Sequence, residues 1–187
     1  MSVVKQFWEM HDSKKKKTTL TQLQRYILQD SPKEILRFIE IGGGPAMGTR
    51  LEEFARFKFS SLKKRESGKN TGYDQLLVVD GKNVYIEQKA SGHWKTDDFR
   101  WQHVEPDHKW TMLLLCGIGY TEVKFWAISR KTFDKLVSQN KITNQGNKEK
   151  NSTEGMWFWY SDVKDDLTLI ETNESLIEFS RLQVLNE

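Results

Sequence analysis

Cysteine occurs once in the 187 residues, at position 116. A single thiol excludes an intramolecular disulfide framework and any zinc site built on two or more cysteines. Cys116 closes the apolar run 112–116, a setting for a buried core thiol and not for a nucleophile. No apolar stretch approaches the roughly 18–20 residues that span a bilayer. The N-terminal segment has no apolar core followed by a small-residue cleavage site, so a secretory signal is not expected. The expectation is a cytoplasmic protein (or one of a nucleus or a virus-infected cell), not secreted and with no membrane partner. Recognised motifs are missing too. There is no H-E-x-x-H, no helicase or ATPase motif and no Ser/His/Asp set. The glycine-rich stretch Gly42-Gly43-Gly44-Pro45-Ala46-Met47-Gly48 lacks the Gly-Lys-Ser/Thr ending of a phosphate loop and follows a helical pattern. It reads as a hinge after the N-terminal helices.

What is present suits one compact domain with a core of its own. Hydrophobic residues make up 37% and charged residues 29%, and the aromatics comprise 7 Trp, 10 Phe and 5 Tyr. The formal charge of +3 permits a polyanionic partner without requiring one. Its distribution is more telling. Lys14-Lys15-Lys16-Lys17 form one block, and Arg50, Arg56, Lys58, Lys63, Lys64 and Arg65 a second cluster.

Apolar spacing predicts a helix over 18–29 and a second one after Ser31, with Ser31 as its cap and Pro32 in the first helical position. A third helix is expected from Thr49 to about Arg65, with Glu52 and Glu53 in its first turn. The period then changes. Residues 75–79 and 84–90 read as strands around the turn Asp80-Gly81-Lys82-Asn83, which makes a hairpin. Residues 91–109 are polar and rich in Trp and His, with a short helix expected over 97–104. Strands are expected at 110–118, 123–129 and 156–160, helices at 131–138 and 174–182, and a polar loop over 140–153. The fold class is α/β (α+β), a mixed central sheet flanked by helices. Residues 1–46 form an N-terminal helical arm, 47–138 the core, and 139–187 a C-terminal strand and helix of a single domain.

The hairpin carries the chemistry. Asp74 opens its first strand, and the pairing folds Asp74 back toward the region of Lys89. Glu87 and Lys89 lie two apart and project from one strand face, with Gln88 pointing the other way. Two carboxylates converging at a sheet end suit Mg²⁺, which takes hard oxygens and retains several waters. A lysine beside them can orient a water or balance charge on a phosphate. Glu52 or Glu53, from the preceding helix, can add a third acid.

The ordered set of helix acid, Gly72-Tyr73-Asp74, hairpin and Ile86-Glu87-Gln88-Lys89 resembles the PD-(D/E)XK nuclease superfamily, in particular the type II restriction endonucleases. The resemblance covers roughly residues 47–138. It implies a restriction-endonuclease-like fold and Mg²⁺-dependent cleavage of double-stranded DNA, with Mn²⁺ able to substitute. By position, Asp74 and Glu87 would be the metal ligands, Lys89 the water-orienting cation and Glu52 the helix acid. Tyr73 stands where many members carry proline before the aspartate. The implied partners are double-stranded DNA and either a second copy of the chain or a larger DNA-reading subunit. Other uses of the same scaffold are a cleavage subunit, a non-catalytic DNA-binding module, or a repair or processing nuclease.

Arg100, Gln102 and His103 are candidates for phosphates or base edges, Lys95 for a backbone phosphate, and Arg50 for a base contact. For Trp94 and Trp101 the expectation is buried packing ahead of stacking. His93, His103 and His108 lie close in sequence, but no zinc spacing accompanies them, and a polar loop over the sheet edge is expected.

Overall fold

A computed structural model describes residues 20–42, 44–66, 72–94, 96–145 and 155–185. Three helices come first: α1 (Gln22–Leu28), α2 (Lys33–Glu40) and α3 (Gly44–Lys58). Thr21 caps α1 in a reciprocal box with Gln24. Pro32, not Ser31, occupies the cap of α2 and makes no side-chain cap bond. Helix α3 starts at Gly44, five residues before the expected Thr49. Pro45 is tolerated there because a first-turn residue needs no N–H donor. The Thr49 hydroxyl therefore donates back to Pro45 O, at 3.1 Å, instead of capping. The expected hinge is partly helix as a result.

Strands β1 (Lys63–Lys64), β2 (Gln75–Val79), β3 (Lys82–Gly92), β5 (Met112–Ile118), β6 (Val123–Ser129) and β9 (Thr168–Leu169) form a six-stranded sheet in the order β1-β2-β3-β5-β6-β9. The pair β3/β5 is parallel and its neighbours are antiparallel, so the sheet is mixed. The β2–β3 turn is tight. Asp80 (φ 51°) and Gly81 (φ 76°) both adopt left-handed backbone between the paired Val79 and Lys82, as a two-residue hairpin of this hand requires.

A second sheet joins β4 (Arg100–Val104), β8 (Met156–Trp159) and β7 (Thr143–Asn144), in the order β4-β8-β7. Residues 100–104 are thus a strand where a helix was expected. The chain closes with α4 (Arg130–Ser138), placed before β7, then α5 (Tyr160–Val163), a 3₁₀ turn and α6 (Asn173–Gln183).

Alternation along β5 sorts the interior into two cores. Met112, Leu114, Cys116 and Ile118 face the layer of α1, α2, α3 and α6, joining Tyr26, Ile39, Leu51 and Phe179. Leu113 and Leu115 face the other way, onto Trp101, Phe158 and the α4 residues Phe133 and Leu136. The central sheet is mixed and flanked by helices, as expected, but one flank is shared between α4 and the small sheet. Cys116 is fully buried, and burial pushes its thiol far up, as befits a core residue. Among the described residues, no helix is long and apolar enough to cross a membrane.

Candidate active site

The site arises from unequal strand lengths. β3 runs over eleven residues. β2 pairs only with 82–86, while β5 pairs with 86–92 on the opposite side. Past Ile86, therefore, no strand among the described residues pairs with β3 on its β2 side. A cleft of about 640 Å³ opens there, between the first half of α3 and the start of β4.

Asp74 sits where β2 begins. Its N–H donates to Ile86 O at 2.8 Å, and its Oδ2 accepts from the Gln88 N–H at 2.9 Å. The carboxylate thus takes the ladder position that a further β2 residue would have filled. Gln75 pairs with Ile86, so Asp74 lies level with Glu87, nearer the turn than Lys89. Gly72 sets the approach. Its φ of 69° is left-handed, and a Cβ there would lie 2.8 Å from Lys109 N. The Tyr73 ring packs on Tyr85, with centroids 4.8 Å apart. Arg65 lies alongside, with Nη1 3.3 Å from Tyr73 O and 4.0 Å from Asp74 Oδ1.

Glu87 is only 5% exposed and does not line the cleft directly. Lys89 Nζ lies 2.6 Å from Glu87 Oε1. Burial drives the Glu87 carboxyl up, Lys89 draws it down and Asp74 pushes it up again, with a net rise. Gln88, between them, bonds to Gln75 instead. Among the described residues both amides keep one buried polar atom without a partner, Gln75 Oε1 and Gln88 Nε2.

Of the two helix acids, Glu52 faces the cleft. Glu53 is exposed and paired with Arg50 at 2.6 Å. Because α3 begins at Gly44, Glu52 lies well inside the helix and not in its first turn. Its carboxyl is pushed up to about 7, first by burial and then by Asp74, against the pull of Arg56 and Arg65. Burial thus does most to raise Glu52, and the neighbouring carboxylates Asp74 and Glu87 add to it.

The expected nucleic-acid contacts divide. Arg100, Gln102 and His103 line the cleft. His103 has left-handed backbone (φ 57°) at a register shift in β4, and its N–H donates to Gln145 Oε1 at 3.2 Å. Arg50 lies on exposed α3 surface outside the cleft. Lys95 and the lysine block 14–17 fall outside the described residues. Three features escaped the sequence reading: Arg65 beside Asp74, the Gln75–Gln88 pair, and the tryptophans of β8. Arg65 was visible only as one of a run of cations.

Two carboxylates, Asp74 and Glu87, match the one or two that Mg²⁺ takes from a protein, and a divalent cation beside Glu52 and Glu87 would offset both the burial that raises them and the neighbouring charge of Asp74. Among the described residues no three His, Cys, Asp or Glu side chains gather closely enough to form a metal cage, so waters or a phosphate would complete the shell. His93 is instead stacked on Phe99 at 4.5 Å. Comparison of the chain with protein families, with curated proteins and with solved structures finds no match.

Proposed function

We propose that the chain is a Mg²⁺-dependent DNA endonuclease of the restriction-endonuclease-like type, hydrolysing phosphodiester bonds. One observation carries the reading: Asp74, Lys89 and the helix acid Glu52 line one cleft, with Glu87 directly beneath it in contact with Lys89. Asp74 and Glu87 would hold the metal. When bound, Mg²⁺ (or Mn²⁺) supplies a Lewis acid that polarises a phosphoryl oxygen and acidifies a water.

The chain's own groups do the rest. The Lys89 ammonium orients the attacking water and balances charge gathering on the phosphate. Glu52, with a carboxyl near 7, takes up or releases a proton at the cleft near neutral pH. Arg100 and Gln102 hold the strand beyond the scissile phosphate. The water oxygen bonds to phosphorus and gives a proton to the Glu52 carboxylate, the bond from phosphorus to one ester oxygen breaks, and that oxygen takes a proton from solvent water. Cutting both strands takes two such sites, so the reading includes a homodimer or a larger DNA-reading subunit.

Plasmid DNA incubated with the pure chain and Mg²⁺ should yield discrete fragments, and Asp74→Asn and Glu87→Gln should each abolish cutting with the fold retained. No cutting across several divalent metals and DNAs, or a fully active Glu87→Gln, would overturn the reading. The burial of Glu87 behind its ion pair favours one second reading, a non-catalytic DNA-binding module on the same scaffold. Calorimetry showing DNA binding without Mg²⁺ or Mn²⁺ uptake would select that module.

A further inference from the structure

Trp101, Trp110 and Trp126 are nearly or fully buried in the core. Trp94, Trp157 and Trp159 belong to neither core, and all three are half-buried. They gather on one spot, the outer face of the small sheet. Trp157 and Trp159 alternate outward along β8 while Met156 and Phe158 turn inward. Arg100 pairs across from Trp159 on β4. Its guanidinium carbon lies 3.5 Å from the centre of Trp94, 5.4 Å from Trp159 and 5.6 Å from Trp157. Trp159 meets Trp94 and Trp157 edge-on, at 6.2 and 6.1 Å.

Indoles left partly in water forgo burial, and three around one cation form an aromatic and cationic patch of the kind that marks a contact surface. Arg100 Nη2 and Nε donate to the Gln102 amide oxygen at 2.7 and 2.8 Å, but among the described residues no carboxylate neutralises its charge, which leaves that charge for an anion. The patch also adjoins the carboxylate cleft, since Trp94 and Arg100 line that cleft together with Asp74 and Lys89. On its other side Arg100, Gln102 and Trp157 border a groove of about 990 Å³.

Flat aromatic faces beside a cation with no acid partner match a nucleotide, base on indole and phosphate on guanidinium. Within a duplex the faces of the bases are already stacked on one another. Only an unpaired base offers a face to a tryptophan. We propose that Trp157 and Trp159 stack the unpaired bases of a DNA strand whose backbone runs into the carboxylate cleft, with Arg100, laid on the Trp94 ring, holding a phosphate of that strand. The substrate class is then DNA with single-stranded or locally opened nucleotides beside the cut. The inference rests on the nuclease reading for the placement of that phosphate.

Binding is measured on the full chain in EDTA, by fluorescence anisotropy. The probes are a labelled oligo(dT), an abasic strand of the same length and a duplex. Oligo(dT) should bind several-fold more tightly than the abasic strand. Trp157→Ala and Trp159→Ala should each weaken oligo(dT) about tenfold and leave the abasic strand unchanged, while Trp157→Phe should keep most of the affinity. Equal binding of oligo(dT) and abasic strand by the wild-type chain overturns the proposal, whether or not any variant folds. So do folded alanine variants that lose nothing. A chain that prefers oligo(dT) but cuts no DNA with any divalent metal refutes the nuclease reading and keeps the stacking surface. A chain that cuts without that preference does the reverse.

Discussion

Asp74 Oδ2 accepts the Gln88 N–H at 2.9 Å, so a side chain replaces backbone where β2 has run out. The same carboxylate is therefore both a strand cap and a proposed metal ligand. An exposed strand edge is a pairing hazard. Here its first free donor is taken by a side chain, and the cleft opens beyond it.

The two roles of Asp74 separate by substitution. Asp74→Asn keeps an acceptor oxygen for Gln88 but removes the charge. Asp74→Ala removes both and leaves a partly buried N–H unpaired, at a cost of about 1–2 kcal/mol. Urea unfolding should show Asp74→Asn near wild type and Asp74→Ala destabilised, while plasmid cleavage should be lost in both. Cleavage by Asp74→Asn at the wild-type rate would leave Asp74 a structural residue only.

Glu52 sets a pH dependence of stability. Its carboxyl rises from the ordinary 4.5 to about 7 in the folded chain, through burial first and Asp74 second. Between those values the folded chain holds the proton more often than the unfolded one. Stability therefore falls as pH rises through that window and levels off above about 7. The full effect is on the order of 2 kcal/mol, after discounting for the part of the side chain that meets solvent. Glu52→Gln cannot ionise, so thermal midpoints measured from pH 5 to 8 should decline less than in the wild type. Mg²⁺ at pH 8 should raise the wild-type midpoint more than that of Glu52→Gln. Parallel pH curves for the two proteins would remove Glu52 from the repulsive set.

How far these features were legible follows from the residues themselves. The hairpin was readable because Asp80-Gly81 can adopt the two left-handed positions its turn needs, with apolar strands on each side. Strand β6 was readable to its ends for a similar reason, a short apolar run between turn residues. Strand β4 was not. Trp101 and Val104 lie three apart and both are buried, a helical spacing. The left-handed backbone at His103 and the register shift there reset the alternation, so that a strand buries both. Helix α3 was begun too late because Gly44-Pro45 reads as a breaker, whereas a helix start accepts both. At the site, Asp74, Glu87 and Lys89 shared a strand pattern that spacing reveals. The choice of Glu52 over Glu53 depended on the rotation of α3 against the sheet. The outward turn of the β8 tryptophans was not legible, because nothing in a Trp-Phe-Trp string says which face is buried.

The Glu87–Lys89 pair is the most constrained element of the site, and it has a measurable signature. Glu87 is 5% exposed and its carboxylate lies 2.6 Å from the ammonium. Lys89→Met removes the cation and leaves an uncompensated buried acid, a loss of about 3–5 kcal/mol. Glu87→Gln spares the fold more, because a neutral amide fills the same space and the lysine, 20% exposed, reaches solvent. The double variant should be more stable than Lys89→Met alone, since the buried charge has gone with its partner. The cycle over the four proteins, read by chemical denaturation, should give a coupling energy of about 1–3 kcal/mol. Additive effects would mean that the ion pair contributes nothing to the fold. Holding both charges in place would then be a matter of function alone, and cleavage by Lys89→Met would decide whether that function exists.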